Sequence, residues 1–162
     1  MKRNMFLLAL AINISVTNAQ TKVSAGNIFR EYLESAGAKS PKETASYFAQ
    51  NGSLELPFNE SIGLPYKIVG RDSIAAIIAH VVSGAKNFRL TNIKVIMETN
   101  DKALAEYESD AIMANGRRYK QKYLGYAIIK DGKIELHKEY MNTVSLVSAV
   151  FPNGLEDLIP KK

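Results

Sequence analysis

Apolar and polar residues alternate through most of the segment from 103 to 142. The alternation breaks at Asn115-Gly116 and again at Asp131-Gly132, and both dipeptides are typical of two-residue β-hairpin turns. Alternation with period two is the pattern of a strand that has one buried face. The segment therefore predicts three long antiparallel strands joined by two tight hairpins.

The two turns set the register of these strands. A two-residue turn pairs the residues that flank it, which are Ala114 with Arg117 and Lys130 with Lys133. Because paired residues lie on the same face, counting back from the turns predicts which side chains share a face. A single β-bulge would move every residue beyond it to the opposite face.

One predicted face has small residues on its first strand and large residues on its second, which leaves room above the sheet for a ligand. Into that room project a histidine and an acid, and the wall around them is largely apolar and aromatic. This face carries every candidate site residue: His137 and Glu139 as catalytic groups, and Tyr107, Leu124, Tyr126 and Met141 as ligand contacts.

Helical patterns dominate the part of the chain before these strands. An apolar stripe predicts a helix over 24–36, and Ser40-Pro41-Lys42-Glu43 is a capping box that opens a second helix, predicted to stop at Asn51-Gly52. A short strand over 54–56, a third helix from Gly70 and a strand over 90–99 follow. Helices that precede a run of antiparallel strands predict the α+β class. We expect a cone-shaped, strongly curved antiparallel sheet wrapped around the N-terminal helices, with a ligand pocket at its open mouth.

The first residues have the pattern of a secretory signal peptide. Lys2 and Arg3 precede an apolar run, and Thr17-Asn18-Ala19 supplies small or short residues for cleavage after Ala19. We therefore expect a signal peptide over 1–19, a single domain over 20–162, and a secreted or periplasmic protein. The alternative is an ordinary N-terminal helix.

Composition narrows the possible chemistry. The chain has no cysteine, so disulfides, thiol catalysis and cysteine-bound metal are excluded. Arg117, Arg118, Lys120 and Lys122 form a dense basic cluster, which fits a solvated strand end better than a nucleic-acid surface. No segment after the first twenty residues has the length and hydropathy of a membrane-spanning helix. We expect no metal, no cofactor, and no nucleic-acid or membrane partner.

Glu139 is the strongest candidate for proton transfer. A carboxyl in an apolar cavity loses solvation of its ionised form, and its pKa rises towards neutrality. The alternative is a structural carboxylate paired with Lys122 or Arg118. His137 would be its partner, or else a histidine of the wall that is hydrogen-bonded to Tyr126 or to water.

Several segments together resemble the SnoaL-like branch of the nuclear-transport-factor-2 and ketosteroid-isomerase superfamily: FAQNGSLELPF, GRDSIAAII, NIKV, AEYES and DGKIELHKEYMN. Within that branch the closing KEYMN is most similar to the phenazine-biosynthesis A/B proteins. The resemblance implies a cone-shaped α+β fold, usually a homodimer, in a family of isomerases, cyclases, epoxide hydrolases, dehydratases and non-enzymatic binding domains. Glu139 matches a cavity acid of the phenazine proteins. The positions of their cavity histidine and serine are Ile77 and Val81 here, so those two roles do not carry over.

Two functions follow as hypotheses. The first is binding of a small, largely apolar organic molecule with cofactor-independent acid/base catalysis of isomerase, lyase or hydrolase type. The second is a non-catalytic ligand-binding or dimerisation domain of the same fold. A homodimer would form through the face opposite the site, which is predicted to carry Tyr123 and Tyr140.

Overall fold

A computed structural model describes residues 23–159, and the predicted signal peptide lies outside this range. The α+β class is confirmed. Among the described residues, no helix is long and apolar enough to cross a membrane. The elements in chain order are α1 (Ala25–Ser35), α2 (Pro41–Ala45), β1 (Phe48–Glu55), a 3-10 helix (Pro57–Ile62), β2 (Lys67–Val69), α3 (Arg71–Ser83), β3 (Ala85–Lys86), β4 (Leu90–Glu98), β5 (Lys102–Met113), β6 (Arg118–Lys130), β7 (Lys133–Met141), α4 (Thr143–Val150) and a second 3-10 helix (Gly154–Leu158).

The strands form one open sheet in the order β2-β1-β7-β6-β5-β3, and β4 also pairs with β5. The three long strands β5, β6 and β7 are antiparallel neighbours, as the sequence predicts. The sheet as a whole is mixed rather than antiparallel, because β1 runs parallel to β7. It does not close into a barrel.

The capping box before α2 is confirmed, with Ser40 Oγ accepting from Glu43 N and the Glu43 carboxylate accepting from Ser40 N. The predicted extent of α2 is wrong: it ends at Ala45, and Phe48 already begins β1. Phe48 is fully buried and pairs with Ile134 of β7. Burial of Phe48 and its pairing with β7 stabilise a strand here more than local propensity stabilises a helix. Tertiary contacts therefore determine the structure of the chain from Phe48 onward.

The predicted β5–β6 register is wrong by one residue. The turn is a three-residue loop, Ala114 to Gly116, in which Gly116 N donates to Met113 O and Met113 N donates to Arg117 O. Gly116 has a φ of 84°, the left-handed conformation that such a loop needs at its last position. Tyr107 therefore pairs with Tyr123, not with Leu124.

The β6–β7 turn is the predicted two-residue turn, and Lys130 pairs with Lys133. A register shift between Ile128 and Ile129 then displaces the rest of the ladder by one residue. As a result Gly125, rather than Leu124, pairs with Glu139.

These two shifts reverse the faces of β6. Leu124 and Tyr126 were predicted to line the pocket, and the structure places both on the outer face of the sheet, where Leu124 is 38% exposed. Tyr123 was predicted on that outer face and is instead buried on the inner one. The physical reason is that side chains alternate along a strand, so a one-residue slip exchanges the faces.

The hydrophobic core lies between the inner face of the sheet and the helices. Helix α1 contributes Phe29, Tyr32 and Leu33, all buried, and its Ser24 N-cap accepts from Asn27 N. Ile74 of α3 is fully buried in the same cluster. A second, smaller buried cluster of Phe88, Ala111, Tyr119 and Ala149 lies where α4 packs against β6.

Candidate active site

Three side chains on the inner face form a hydrogen-bonded group: Tyr107 on β5, and His137 and Glu139 on β7. The Tyr107 hydroxyl donates to Glu139 Oε2 at 2.5 Å and lies 3.2 Å from His137 Nε2. The structure thus brings together both predicted catalytic residues and one predicted ligand contact.

Gly125 explains how Tyr107 reaches an acid two strands away. Gly125 lies between Ala105 and Glu139 in one row across the sheet. A Cβ built on Gly125 would lie 2.8 Å from both Tyr107 Cε1 and Tyr107 Oη. The tyrosine ring therefore crosses the surface of this glycine, and its hydroxyl meets the carboxylate on the far side.

The hydrogen bonds assign the protons in this group. Since the Tyr107 proton goes to Glu139, the tyrosine oxygen accepts from His137 Nε2–H. His137 Nδ1 is then unprotonated, and it has no partner among residues 23–159. The hydrogen bonds therefore run from His137 through Tyr107 to Glu139. The ionised Glu139 carboxylate can accept hydrogen bonds but has none to donate.

Burial sets the ionisation of the two titratable ends. Desolvation raises the pKa of Glu139 to about 7, against a smaller lowering by the Tyr107 hydrogen bond. Desolvation lowers the pKa of His137 to about 3, because its ring is 1% exposed and enclosed by Phe29 and Tyr32. Burial, followed by the Glu139 charge, raises the pKa of Tyr107 well above its ordinary value. At neutral pH the histidine and tyrosine are therefore neutral, and Glu139 is the group that exchanges a proton.

The alternative roles for Glu139 do not match the geometry. Arg118 pairs with Asp110 at 2.5 Å, and Lys122 lies 3.6 Å from Glu108, so both predicted cationic partners pair with acids on the outer face. The His137–Glu139 approach of 4.0 Å involves a neutral ring and is no ion pair. The side chain of Glu139 is only 16% exposed.

Glu139 lies on the wall of an apolar cavity of about 620 Å³. Of the predicted ligand contacts, Met141 lines this cavity. Tyr107 does not line it, but its hydroxyl is hydrogen-bonded to Glu139, which does. The walls come from the β1–β2 region, α3, β6 and α4. Aliphatic and aromatic contributors include Leu54, Leu56, Ile68, Ile77, Val81, Phe88, Leu146 and Phe151. A volume of this size fits an organic molecule of drug-like dimensions.

Sequence reasoning missed two tyrosines of this wall, Tyr119 and Tyr123. A signal for them was present. On β6 the residues at even positions include Arg118, Lys120 and Lys122, whose charges favour solvent. The odd positions, which hold the tyrosines and Gln121, therefore had to face the core.

We expect Tyr107→Phe to raise the pKa of Glu139 above 7. The Tyr107 hydroxyl stabilises the carboxylate by donating to it, so its removal favours the protonated form. The measurement is a ¹³C NMR titration of the Glu139 carboxyl carbon. Tyr126→Phe, which removes a hydroxyl from the outer face, should leave that titration unchanged. A Glu139 pKa that stays or falls in Tyr107→Phe would contradict the hydrogen bond.

The SnoaL-like domain family matches residues 29–137, more than half of the chain. The chain belongs to the SnoaL-like domain family. Among curated protein sequences none matches the chain. Glu139 and Met141 lie just beyond the matched range, so the family assignment and the geometry of the carboxyl are independent observations.

Solved structures similar to this SnoaL-like domain share its fold at low sequence identity. A phenazine biosynthesis-related protein from Pseudomonas aeruginosa is 20% identical, with a TM-score of 0.63 over 83% of this chain and 85% of that one. A proposed polyketide cyclase from Pseudomonas putida is 18% identical, with a TM-score of 0.67 over 80% and 99%. A protein with a ketosteroid isomerase-like fold from Catenulispora acidiphila, in complex with trimethylamine, is 16% identical, with a TM-score of 0.66 over 83% and 97%.

The SnoaL-like domain has no arrangement of three or more His, Cys, Asp or Glu side chains, within residues 23–159, that could hold a metal ion.

Proposed function

We propose that this SnoaL-like domain binds a small, largely apolar organic molecule and catalyses a proton transfer on it without a cofactor. The observation that carries the proposal is the buried Glu139 carboxyl, whose pKa of about 7 makes it able to take and return a proton at neutral pH. The carboxyl lies at the wall of a cavity that is otherwise mainly apolar.

Glu139 acts on the ligand as a base and then as an acid. Its carboxylate accepts a proton from an acidic C–H of the ligand, and the electron pair of that bond stays on the ligand. The carboxylic acid then returns the proton to another atom of the same molecule in an isomerase-type reaction, or to a leaving group in a lyase-type elimination, in which the electron pair forms a new double bond. In a hydrolase-type reaction the carboxylate instead takes a proton from a water molecule that attacks the ligand, and the acid gives that proton to the leaving group. Tyr107 and His137 hold the carboxyl in place, and Tyr107 stabilises its ionised form.

A deuterium-incorporation screen tests this proposal without knowledge of the substrate. The protein is incubated in D₂O with apolar ketones and nitroalkanes that carry acidic C–H bonds, and mass spectrometry follows the exchange. We expect at least one compound to exchange faster with wild-type protein than with Glu139→Gln. Compounds that bind both proteins equally, with no exchange above the uncatalysed rate, would favour the non-catalytic binding domain.

The outer face of the sheet supports the prediction of a homodimer. Leu124 is 38% exposed there, where it pairs with Tyr140 and is followed on the same face by Tyr126. An apolar patch on an outer face is typical of a protein–protein contact. Light scattering after size-exclusion chromatography should give twice the chain mass, and a monomer at high concentration would contradict the dimer. Secretion stays a prediction from residues 1–19.

A further inference from the structure

A second hydrogen-bonded chain lies on the inner face, separate from the Tyr107–His137–Glu139 group. It consists of Ser109 on β5 with Tyr123 and Tyr119 on β6. Ser109 Oγ and Tyr123 Oη are 2.9 Å apart, and Tyr123 Oη donates to Tyr119 Oη at 3.2 Å. All three residues are at most 7% exposed.

The direction of this chain follows from proton accounting. A phenol has one proton to donate. Because Tyr123 gives its proton to Tyr119, it must accept from Ser109. The donors therefore point one way, from Ser109 through Tyr123 to Tyr119.

Tyr119 is the end of the chain, and its own proton has only a weak partner. Its oxygen accepts from Tyr123 and also from Gln121 Nε2 at 3.4 Å, whereas its proton points to the thioether of Met141 at 3.7 Å. Sulfur in a thioether is a weak acceptor. A hydroxyl that accepts two hydrogen bonds is polarised into a stronger donor. A strong donor thus faces a poor acceptor.

The Tyr119–Met141 contact lies at the cavity. Tyr119, Tyr123, Met141 and Glu139 all line it. Burial raises the pKa of Tyr119, and the nearby Glu139 charge raises it further, so the hydroxyl keeps its proton at neutral pH. Methionine is unbranched and flexible, so it can move aside for a ligand atom.

We propose that Tyr119 is the polar anchor of the ligand, donating its hydrogen bond to a carbonyl or other oxygen acceptor of an otherwise apolar molecule that displaces the Met141 thioether. This rests on the proposed function and adds to it the chemical class of the ligand. A purely structural chain of hydroxyls would rigidify β6 without discriminating between ligands that carry an oxygen acceptor and ligands that lack one.

The test compares two probes of the same shape, acetylnaphthalene and isopropenylnaphthalene, in which C=O is replaced by C=CH₂. Fluorescence titration gives both dissociation constants for each protein, and their ratio is the preference for the ketone. We expect Tyr119→Phe to lower that preference about fivefold, the usual size of one hydrogen bond. Tyr126→Phe should keep the wild-type preference.

A measurement on wild-type protein covers the case in which Tyr119→Phe does not fold. The ¹³C resonance of a labelled ketone carbonyl should lie further downfield in the bound state than in an apolar solvent, because the carbonyl oxygen accepts a hydrogen bond in the cavity. Binding of both probes with no ketone preference, or a preference that survives Tyr119→Phe, would overturn the anchor while leaving the cavity proposal intact. If neither probe binds, both the anchor and the ligand-binding part of the proposed function fail. The deuterium-exchange rate of Glu139→Gln tests the proton transfer separately and does not bear on the anchor.

Discussion

Glu139→Gln should reduce the rate of proton exchange by about 100-fold to 10,000-fold, the usual contribution of a positioned acid or base. Glutamine keeps the size of the side chain and can still accept from Tyr107 through its amide oxygen. It cannot take up a proton near neutral pH. The rate of deuterium incorporation into a responsive compound is the measurement, with saturating ligand in both proteins.

The matched control for this variant is Glu135→Gln, because Glu135 is an exposed acid on the same strand. It should retain wild-type exchange. Thermal unfolding of Glu139→Gln should occur at or above the wild-type temperature, since a largely buried ionisable group is replaced by a neutral one. Full activity in a folded Glu139→Gln protein would remove Glu139 from the mechanism.

The pH profile gives a second readout of the same carboxyl. Only the ionised form accepts a proton, so the exchange rate should rise with pH through a midpoint at about 7 and then level off. Because Tyr107 stabilises the carboxylate, Tyr107→Phe should move that midpoint to higher pH. A profile that falls through this range would show that the protonated acid is the form that acts first.

The candidate site could be predicted in part because two errors of register cancel. The three-residue loop at Ala114 to Gly116 shifts β5 against β6, and the irregularity at Ile128–Ile129 shifts β7 against β6. Each shift exchanges the faces of β6 relative to one neighbour. Tyr107, His137 and Glu139 lie on β5 and β7, so they still share a face after both shifts. Leu124 and Tyr126 lie on β6 and do not.

Turn chemistry alone could not distinguish these registers. Asn115-Gly116 fits both a two-residue turn and the end of a three-residue loop with a left-handed glycine. A bulge inside a long strand leaves no glycine or proline as a marker, as the extra residue Glu135 between Ile134 and Leu136 of β7 shows. The charge pattern of β6 was the better guide, since Lys120 and Lys122 require solvent on the even positions.

The hydrogen-bonded groups themselves depend on contacts that the sequence does not encode locally. Tyr107 and Glu139 are 32 residues apart and lie in neighbouring rows of the sheet, and the tyrosine ring reaches the acid by passing over Gly125. The predicted register places Gly125 on the outer face. In the structure it is the position that lets one aromatic ring cross the sheet surface.

Gly125→Ala should both destabilise the fold and alter the site. The added Cβ would lie 2.8 Å from Tyr107 and 2.9 Å from Phe29 Cζ, closer than carbon atoms approach in folded proteins. Both rings are nearly fully buried and cannot withdraw into solvent. Overpacking of this kind costs about 1–3 kcal/mol, which lowers the melting temperature by several degrees. Displacement of Tyr107 should also raise the pKa of Glu139, as Tyr107→Phe does.

Gly84→Ala is the matched control, because Gly84 has an ordinary φ of −77° and an added Cβ there meets nothing closer than 3.2 Å. It should lower the melting temperature clearly less than Gly125→Ala does. In the double variant Gly125→Ala/Tyr107→Phe, the added Cβ still meets the ring but no longer meets the hydroxyl. The double variant should therefore lose less stability than the sum of the losses in the two single variants. Unchanged melting and an unchanged Glu139 titration in Gly125→Ala would show that Tyr107 does not reach the carboxyl across this glycine.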